Sequence, residues 1–312
     1  MQKRLQLATT TNHFKRTSAK QRLLALLCFG LLLAWFIPSL KSQSVQFNPV
    51  TRSTIENRLQ RTANKKAKSN QERQASLREL FVEAGCQNDR LIEQPVKKSR
   101  VPNVICTLPG TGDATIVVGA HFDKVSNGDG AIDNWSGASL LPSLYQSLSA
   151  QPRRFTFLFI GFTDEEKGLV GSKFFVEQLT SQQKTDIQAM VNLDSLGLSE
   201  TKVWVSRADK KLVDLVDKLA IAMHLPLQGM NVEEVGDTDS HSFVAKKIPS
   251  IDFHSITQQT LPLLHTSRDD VSAIKLDEYY ATYRLLAAYL AFLDTTWNMD
   301  SAKAPPLEAA SQ

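Results

Sequence analysis

Three short phrases contain acidic residues and a histidine that could do chemistry. They are residues 121–123 (HFD), 133–137 (DNWSG) and 164–168 (DEEKG). The first and the third follow apolar runs, residues 115–120 and 154–162, which are typical of buried strands. Side chains just past the carboxyl ends of parallel strands lie where open α/β sheets place their ligand sites. Because unpaired carboxylates are costly to bury on such a scaffold, the pattern predicts bound cations.

The candidate side chains are histidines and carboxylates, with no thiolate among them. Such ligands suit zinc at a catalytic site, and also manganese or cobalt. Five of them, with one carboxylate shared, can hold two metal ions, and a two-metal site makes a water nucleophilic near neutral pH. The set consists of His121, Asp123, Asp133, Glu165, Glu166, Asp194 and His265.

Two of the phrases suggest separate roles for neighbouring residues, such as metal binding and proton transfer. The adjacent Glu165 and Glu166 point in different directions past a strand end, so one can bind metal while the other acts as general base. Asp123, two residues after His121, is placed to accept the second N–H of that imidazole. Each candidate alone is weak evidence, since Asp194, for example, could be a helix N-cap or a turn residue. The order and spacing of all of them together indicate a site.

These phrases resemble the co-catalytic di-zinc aminopeptidase family. The similarity covers about residues 70–295, and the family includes secreted bacterial leucine aminopeptidases, with glutamate carboxypeptidases and glutaminyl cyclases as relatives. The matching phrases, in order, are residues 121–123, 133–137, 164–172, 192–194 and 265–269.

The resemblance implies two zinc ions per chain. His121 and Asp194 would bind one ion, Glu166 and His265 would bind the other, and Asp133 would bridge the two.

The same resemblance implies the catalytic roles and the fold. Glu165 would deprotonate the bridging water and then protonate the leaving amine, and Asp123 would orient His121. The implied fold is a three-layer α/β/α sandwich with a mixed, mostly parallel sheet. The implied function is a metallo-aminopeptidase, a hydrolase that removes N-terminal residues from peptide substrates.

The chain departs from the family at two positions. Trp135 stands where relatives commonly have a small residue, which predicts a reshaped pocket beside the bridging carboxylate. Ser240 stands where relatives often have histidine, so we interpret the neighbouring His241 as a surface or supporting residue. We interpret His224 and His254 as structural, although His254 could also line the substrate pocket.

Two other functions stay open. One is a glutaminyl cyclase-like acyltransferase with a single zinc, against which Ser240 and the complete ligand set argue. The other is a non-catalytic binding ectodomain, since folds are reused without their chemistry. That reading predicts a lost ligand or a lost base, and none is missing. The number of zinc ions per chain would separate the aminopeptidase from the cyclase.

The N-terminal segment predicts a membrane anchor. Leu23 to Leu40 is an 18-residue apolar run without charge, long enough to span a thin bilayer. Six Lys or Arg and no Asp or Glu precede it, which predicts a cytoplasmic N-terminus and an exported remainder. The expected protein is single-pass in the cell membrane, with its catalytic domain in the periplasm or outside the cell. A cleavable signal peptide, and hence secretion, is the alternative.

The formal charge of +4 comes from the N-terminus, because the rest has 30 bases against 32 acids. No basic face predicts nucleic-acid binding. Cys86 and Cys106 could form a disulfide or stay as two thiols, and nothing in the sequence indicates an oligomeric state.

The 312 residues divide into five predicted segments. They are a basic cytoplasmic region (1–22), the transmembrane anchor (23–40), a linker (41–53), the zinc peptidase domain (54–298) and a flexible tail (299–312).

Within the peptidase domain, predicted strands alternate with predicted helices, which favours one α/β domain with helices on both faces of the sheet. Pro142 should kink the helix predicted over 136–148 or mark an early turn. The other predicted elements are one or two helices over 54–84, a hairpin over 90–108, strands over 115–120, 154–162, 189–194, 202–206 and 248–253, and helices over 170–179, 209–223 and 276–297.

Overall fold

The computed structural model describes residues 46–61, 69–232 and 236–297. The predicted anchor, the basic segment before it and the tail from 299 lie outside these residues. Within the described ranges, no helix is both long and apolar enough to cross a membrane. All of the described residues belong to one compact unit.

A mixed eight-stranded sheet lies at the centre of the described residues, in the spatial order β1-β2-β4-β3-β5-β8-β6-β7. Its inner strands β4, β3, β5 and β8 are parallel. At one edge β2 runs antiparallel to β4, and β1 runs antiparallel to β2. At the other edge β6 runs antiparallel to β8 and parallel to β7. The strands are Leu91–Gln94 (β1), Asn103–Leu108 (β2), Thr115–His121 (β3), Thr156–Phe162 (β4), Ile187–Leu193 (β5), Thr201–Val203 (β6), Leu227–Gly229 (β7) and Ser250–His254 (β8).

Helices cover both faces of the sheet, which confirms the predicted α/β class with a mixed sheet. Strand alternation divides the core into two parts. Ile116 and Val118 of β3 join the larger cluster, and Val117 between them joins the smaller one. The helices are Arg52–Leu59 (α1), Asn70–Glu83 (α2), Ser136–Ser149 (α3), Val170–Gln178 (α4), Ser181–Asp186 (α5), Lys210–Met223 (α6), Ser240–Val244 (α7) and Leu276–Thr296 (α8).

The two core clusters show which helices lie on which face. The larger cluster contains residues of α1, α2, α3, α6 and α8, whereas the smaller one contains residues of α4 and α7. Because both faces are covered, the central strands β3 and β4 are almost wholly apolar.

The helix boundaries agree with the sequence except in two respects. Pro142 neither ends nor delays α3, which runs on to Ser149, because burial of almost the whole helix stabilises it against the missing hydrogen bond. The short α5 and α7 were not predicted, since helices of six and five residues are too short to show a period. By contrast, α2 begins at a capping box between Ser69 and Glu72, as its polar first turn suggests.

Cys86 and Cys106 form a disulfide. It joins the turn after α2 to β2, and both cysteines are fully buried. The covalent link therefore fastens the N-terminal helices to the antiparallel edge of the sheet.

Candidate active site

The carboxyl ends of three parallel strands deliver the candidate site residues to one edge of the sheet. His121 is the last residue of β3, Glu165 and Glu166 lie in the turn after β4, and Asp194 directly follows β5. Asp133 comes from the connection between β3 and α3, and His265 from the loop after β8. Strand ends at a parallel sheet edge are where such folds place ligands.

Asp133 lies between the two histidines. Its Oδ1 is 3.1 Å from His121 Nε2 and its Oδ2 is 3.0 Å from His265 Nε2. Asp194 Oδ1 lies 3.8 Å from His121 Nε2, and Glu166 Oε2 lies 3.2 Å from His265 Nε2. Two groups of possible metal ligands result, and Asp133 belongs to both.

Several carboxyl groups are crowded together in this cluster, and their pKa values are shifted. Burial, together with neighbouring carboxylates, raises the pKa of Glu165 to about 9. Burial, with Asp133 beside it, raises the pKa of Glu166 to about 7. Despite its burial, hydrogen bonds with His121 and His265 hold the pKa of Asp133 below its usual range. Such crowded carboxylates are a charge pattern that bound cations stabilise.

The donor set fits zinc. Within each group the ligand atoms lie within 4.8 Å of one another, and each group offers one imidazole nitrogen and two carboxylate oxygens. Glu166 Oε1 is also buried without a hydrogen-bond partner among the described residues. An unsatisfied buried carboxylate oxygen beside an imidazole is suited to metal coordination.

Asp123 supports the turn that follows β4. Its Oδ1 accepts the backbone N–H of Glu165 at 3.0 Å, and its Oδ2 accepts that of Glu166 at 3.2 Å. Its Oδ1 also lies 3.5 Å from His121 Nδ1, farther than an ordinary hydrogen bond. The sequence predicted the orientation of His121 but not the two bonds to the backbone of the glutamates.

The residues after Asp133 anchor its loop to the end of β5. Asn134 donates from Nδ2 to Leu193 O at 2.8 Å, and its Oδ1 accepts the backbone N–H of Gly137 at 2.9 Å. A Cβ on Gly137 would lie 2.5 Å from both Asn134 Oδ1 and Leu193 O, so this position requires glycine. Ser136 Oγ accepts the N–H of Leu196 at 2.8 Å. The phrase at 133–137 thus fixes the Asp133 loop relative to Asp194.

A cavity of about 290 Å³ opens beside the cluster. The ligand candidates and Glu165 line it at one side. Its remaining wall contains the polar Ser195, Asp237, Thr238, Asp252 and His254 beside six apolar residues. The apolar residues are Trp204, Val232, Phe253, Ile256, Leu261 and Leu264.

Three other histidines lie within the described part of the chain. His254 is buried and lines the cavity, while its Nε2 lies 3.0 Å from Met230 O. His241 is half exposed beside Asp237, at the surface as predicted. His224 is an exposed residue that ends α6 in the left-handed conformation.

The structure corrects one prediction, for Trp135, and adds one cavity residue that was not predicted, Asp252. Trp135 is fully buried and is not among the residues that line the cavity, so the prediction that it reshapes the pocket is wrong. Its indole packs against the N-terminal helices instead. Ser240 donates to Asp252 Oδ2 at 2.6 Å. Asp252, a buried cavity residue that also accepts from Thr238 and Asn192, was missed because it lies inside a strand and belongs to no motif.

The chain is similar to known peptidases. A model of Peptidase family M28 matches residues 103–290. Aminopeptidase YwaD of Bacillus subtilis (strain 168) is 26% identical over 226 residues, which cover 70% of this chain and 47% of that protein. Leucine aminopeptidase 1 of Ajellomyces capsulatus (strain H88) is 27% identical over 250 residues, 68% of this chain and 63% of that protein. The chain thus spans less than two thirds of either relative.

Solved structures share the fold. BSAP, a zinc aminopeptidase from Bacillus subtilis, superposes with a TM-score of 0.58 at 23% identity, covering 67% of this chain and 53% of that one. A glutaminyl cyclase from Porphyromonas gingivalis gives 0.64 at 18% identity, covering 77% and 97%. The resemblance inferred from the sequence motifs is confirmed.

Proposed function

This chain belongs to Peptidase family M28, and from that membership we propose that it is a membrane-anchored metallo-aminopeptidase with two zinc ions per chain. The observation that carries the proposal is the position of Asp133. Each of its oxygens faces a different histidine, at 3.1 Å and 3.0 Å. A carboxylate in that position can serve two cations at once, as a two-metal hydrolase requires.

In this proposal His121, Asp133 and Asp194 hold one zinc ion, and Asp133, Glu166 and His265 hold the other. When bound, the ions would supply a water that is nucleophilic near neutral pH and would polarise the scissile carbonyl. Only Asp133 is common to both groups.

Glu165 moves the proton. Its Oε2 lies 3.9 Å from His121 Nε2, so the carboxylate faces the ligand cluster without belonging to either ligand group. The charge of the two ions would lower the raised pKa of this carboxyl, so that Glu165 can accept a proton from the attacking water and deliver it to the leaving amine. Asp123 fixes the backbone of Glu165 and so holds the carboxylate in place. The partial burial of the Glu165 side chain limits the access of bulk water to its carboxylate.

The cavity favours peptides with an apolar N-terminal side chain. Six aromatic and aliphatic residues line its wall away from the ligand candidates, and burying an apolar side chain against them is favourable by roughly 25 cal/mol per Å². The positively charged amino group of a substrate would be attracted to the acidic side.

The cyclase is the second candidate, because the Porphyromonas gingivalis enzyme matches this chain over 97% of its own length. Against it stands Ser240, which is engaged with Asp252. The shared Asp133 also offers ligands for two ions, whereas the cyclase candidate uses one.

The location of the enzyme is also part of the proposal. The apolar run at 23–40 supports a single-pass anchor, and the Cys86–Cys106 disulfide supports an exported, oxidising compartment. We expect the full chain in the membrane fraction after a carbonate wash and residues 41–312 alone in the soluble fraction. A shortened mature N-terminus, measured by mass spectrometry, would instead indicate a cleaved signal peptide.

The test of the proposed function counts zinc in the full-length chain purified in detergent. We expect two ions and chelator-sensitive hydrolysis of leucine and phenylalanine amides. Asp133→Asn should lose both tight ions together, while Asp217→Asn, exposed on α6, should keep them. One ion with cyclisation of an N-terminal glutamine peptide would favour the cyclase. Two tightly held ions in Asp133→Asn would remove that residue from the bridge.

A further inference from the structure

Arg73 of α2 contacts the connection that carries the metal-ligand candidates. This connection, residues 122–135, begins directly after His121 and contains Asp133. The Arg73 Nε donates to Phe122 O, at the start of the connection. Nη1 donates to Asp129 O at 3.0 Å and Nη2 to Gly130 O at 2.9 Å. One guanidinium therefore joins the start of the connection to the residues that precede Asp133.

Trp135 provides the surface on which this guanidinium lies. The Arg73 Cζ is 5.4 Å from the centre of the Trp135 ring, within the range of a cation–π contact. The indole is fully buried, and its Nε1 donates to Arg58 O of α1 at 3.3 Å. The residue that departs from the family pattern thus packs against an arginine that comes from outside the family match at 103–290.

An arginine in a core is often no more than a packed, satisfied side chain. Here, however, the three carbonyls to which the guanidinium donates all belong to one connection, and Arg73 is only 1% exposed. Asn70, one turn earlier on α2, also accepts the backbone N–H of Lys124 in that connection, at 3.3 Å. The first turns of α2 are therefore directed at this connection.

The chemistry of the guanidinium suits this position. Its planar fork presents several donors in a fixed geometry, which the ammonium of lysine does not. Its positive charge also acts on nearby carboxylates, among them Asp123, Asp133 and Glu166. A buried cation there offsets part of the negative charge that the ligand cluster gathers.

We propose that Arg73, stacked on Trp135, is a positioning residue for the metal site. It holds the connection so that His121 and Asp133 keep the separation that zinc requires. The N-terminal helices, although outside the family match, thereby become part of what sets zinc affinity. This inference rests on the proposed metallopeptidase function, because it assigns Arg73 to that site.

The test compares Arg73→Lys with Arg58→Lys in the full-length chain. Arg58 is the matched control, because it is also a buried arginine of the N-terminal helices. Its side chain bonds to Ser143 at 2.7 Å and Gln146 at 2.7 Å on α3, not to the connection. The backbone carbonyl that accepts from Trp135 is kept in this variant.

Three quantities are measured for each variant. They are zinc affinity by competition with a chelator, the melting temperature of the metal-free protein, and amide hydrogen exchange over residues 122–135 in the metal-free protein. For Arg73→Lys we expect zinc affinity to fall by about 10- to 100-fold, the range seen when supports of metal ligands are removed. Exchange in the connection should become faster. For Arg58→Lys we expect a lower melting temperature with zinc affinity and exchange unchanged.

The outcomes separate a positioning role from a structural one. Zinc affinity and exchange of wild-type size in Arg73→Lys would overturn the proposal. So would an equal loss of zinc affinity in Arg58→Lys, because the effect would then follow general stability. If wild-type protein binds no zinc, the proposed function fails. The exchange of metal-free Arg73→Lys then still decides whether Arg73 holds the connection.

A second variant covers the case in which Arg73→Lys does not fold. Trp135→Leu keeps an apolar side chain in the core but removes the ring beneath the guanidinium. We expect a smaller loss of zinc affinity in the same direction and faster exchange over residues 122–135. Unchanged affinity together with unchanged exchange in a folded Trp135→Leu protein would overturn the role of the pair.

Discussion

The side-chain carboxylate of Asp123 accepts the backbone N–H of Glu165 at 3.0 Å. Its other oxygen accepts the N–H of Glu166. One fully buried carboxylate at the end of β3 therefore fixes the turn at the end of β4. The proposed base and one proposed zinc ligand depend on the same support.

Replacing Asp123 with Asn should damage the site without removing any ligand. Asn has one carbonyl oxygen, so its NH₂ group would face one of the two backbone N–H donors, which leaves a buried donor unsatisfied. We expect kcat/KM and zinc affinity each to fall by about 10- to 100-fold. Steady-state kinetics and chelator competition measure the two effects, with the exposed Asp217→Asn as control. Wild-type values for both would show that the turn holds without Asp123.

The adjacent glutamates should respond differently to the same substitution. Glu165→Gln keeps both groups of ligands intact, so we expect two zinc ions but a kcat lowered by about 10²- to 10⁴-fold, the usual contribution of a general base. Glu166→Gln removes a ligand and should lower zinc content. The pair is matched in charge and size, and metal analysis beside kinetics separates them. If Glu165→Gln loses the metal as well, our division of roles is wrong.

The sequence predicted the strand-end residues because their signal is local. His121, Glu165, Glu166 and Asp194 each follow an apolar run, and the parallel order of β3, β4 and β5 then brings them to one edge. Asp133 and His265 lie in loops, where residue type rather than periodicity made them candidates and the family resemblance implied their roles as ligands.

The supporting contacts could not be read in this way, because they depend on how distant segments pack. The bonds of Asp123 to Glu165 and Glu166 span 42 and 43 residues, and those of Arg73 to the connection span up to 57. No local pattern distinguishes Arg73 from the other charged residues of α2. The prediction for Trp135 was wrong for the same reason, since only packing shows that the indole turns into the core.

Removing the disulfide should destabilise the fold rather than the chemistry. Cys86 and Cys106 close a loop with a sequence separation of 20, for which loop entropy gives about 3 kcal/mol. We expect Cys86→Ser with Cys106→Ser to lower the free energy of unfolding by that amount in denaturant titrations. As a control, a reductant should shift the midpoint of wild type and leave the double variant unchanged. Equal midpoints for wild type and variant would contradict a stabilising role.

The buried, neutral ring of His254 should make the folded protein less stable in mild acid. The buried ring accepts the N–H of Ile256 at Nδ1, at 3.2 Å, and its Nε2 faces Met230 O at 3.0 Å. A neutral imidazole satisfies both contacts, whereas protonation would set two donors against each other at Nδ1. Burial lowers the pKa of His254 to about 4, and the nearby Lys202 acts in the same direction.

The direction of the change in stability with pH follows from comparing proton binding by His254 in the folded and the unfolded chain. An unfolded His titrates near pH 6.5, so between that pH and about pH 4 the unfolded chain binds a proton that the folded chain does not. The stabilising contribution of the neutral ring is present above pH 6.5 and is lost as the pH falls towards 4. Between pH 7 and pH 5 this amounts to about 2 kcal/mol.

The measurement is the free energy of unfolding at pH 7 and pH 5, with chelator present throughout. Wild type should lose about 2 kcal/mol more between these values than His254→Gln, which keeps an N–H near Met230 but cannot take up a proton. All other titrating groups are common to both proteins and cancel in the difference. If the two proteins lose the same amount, His254 is already charged in the folded state or is not buried as described. Its place in the cavity wall would then have to be revised.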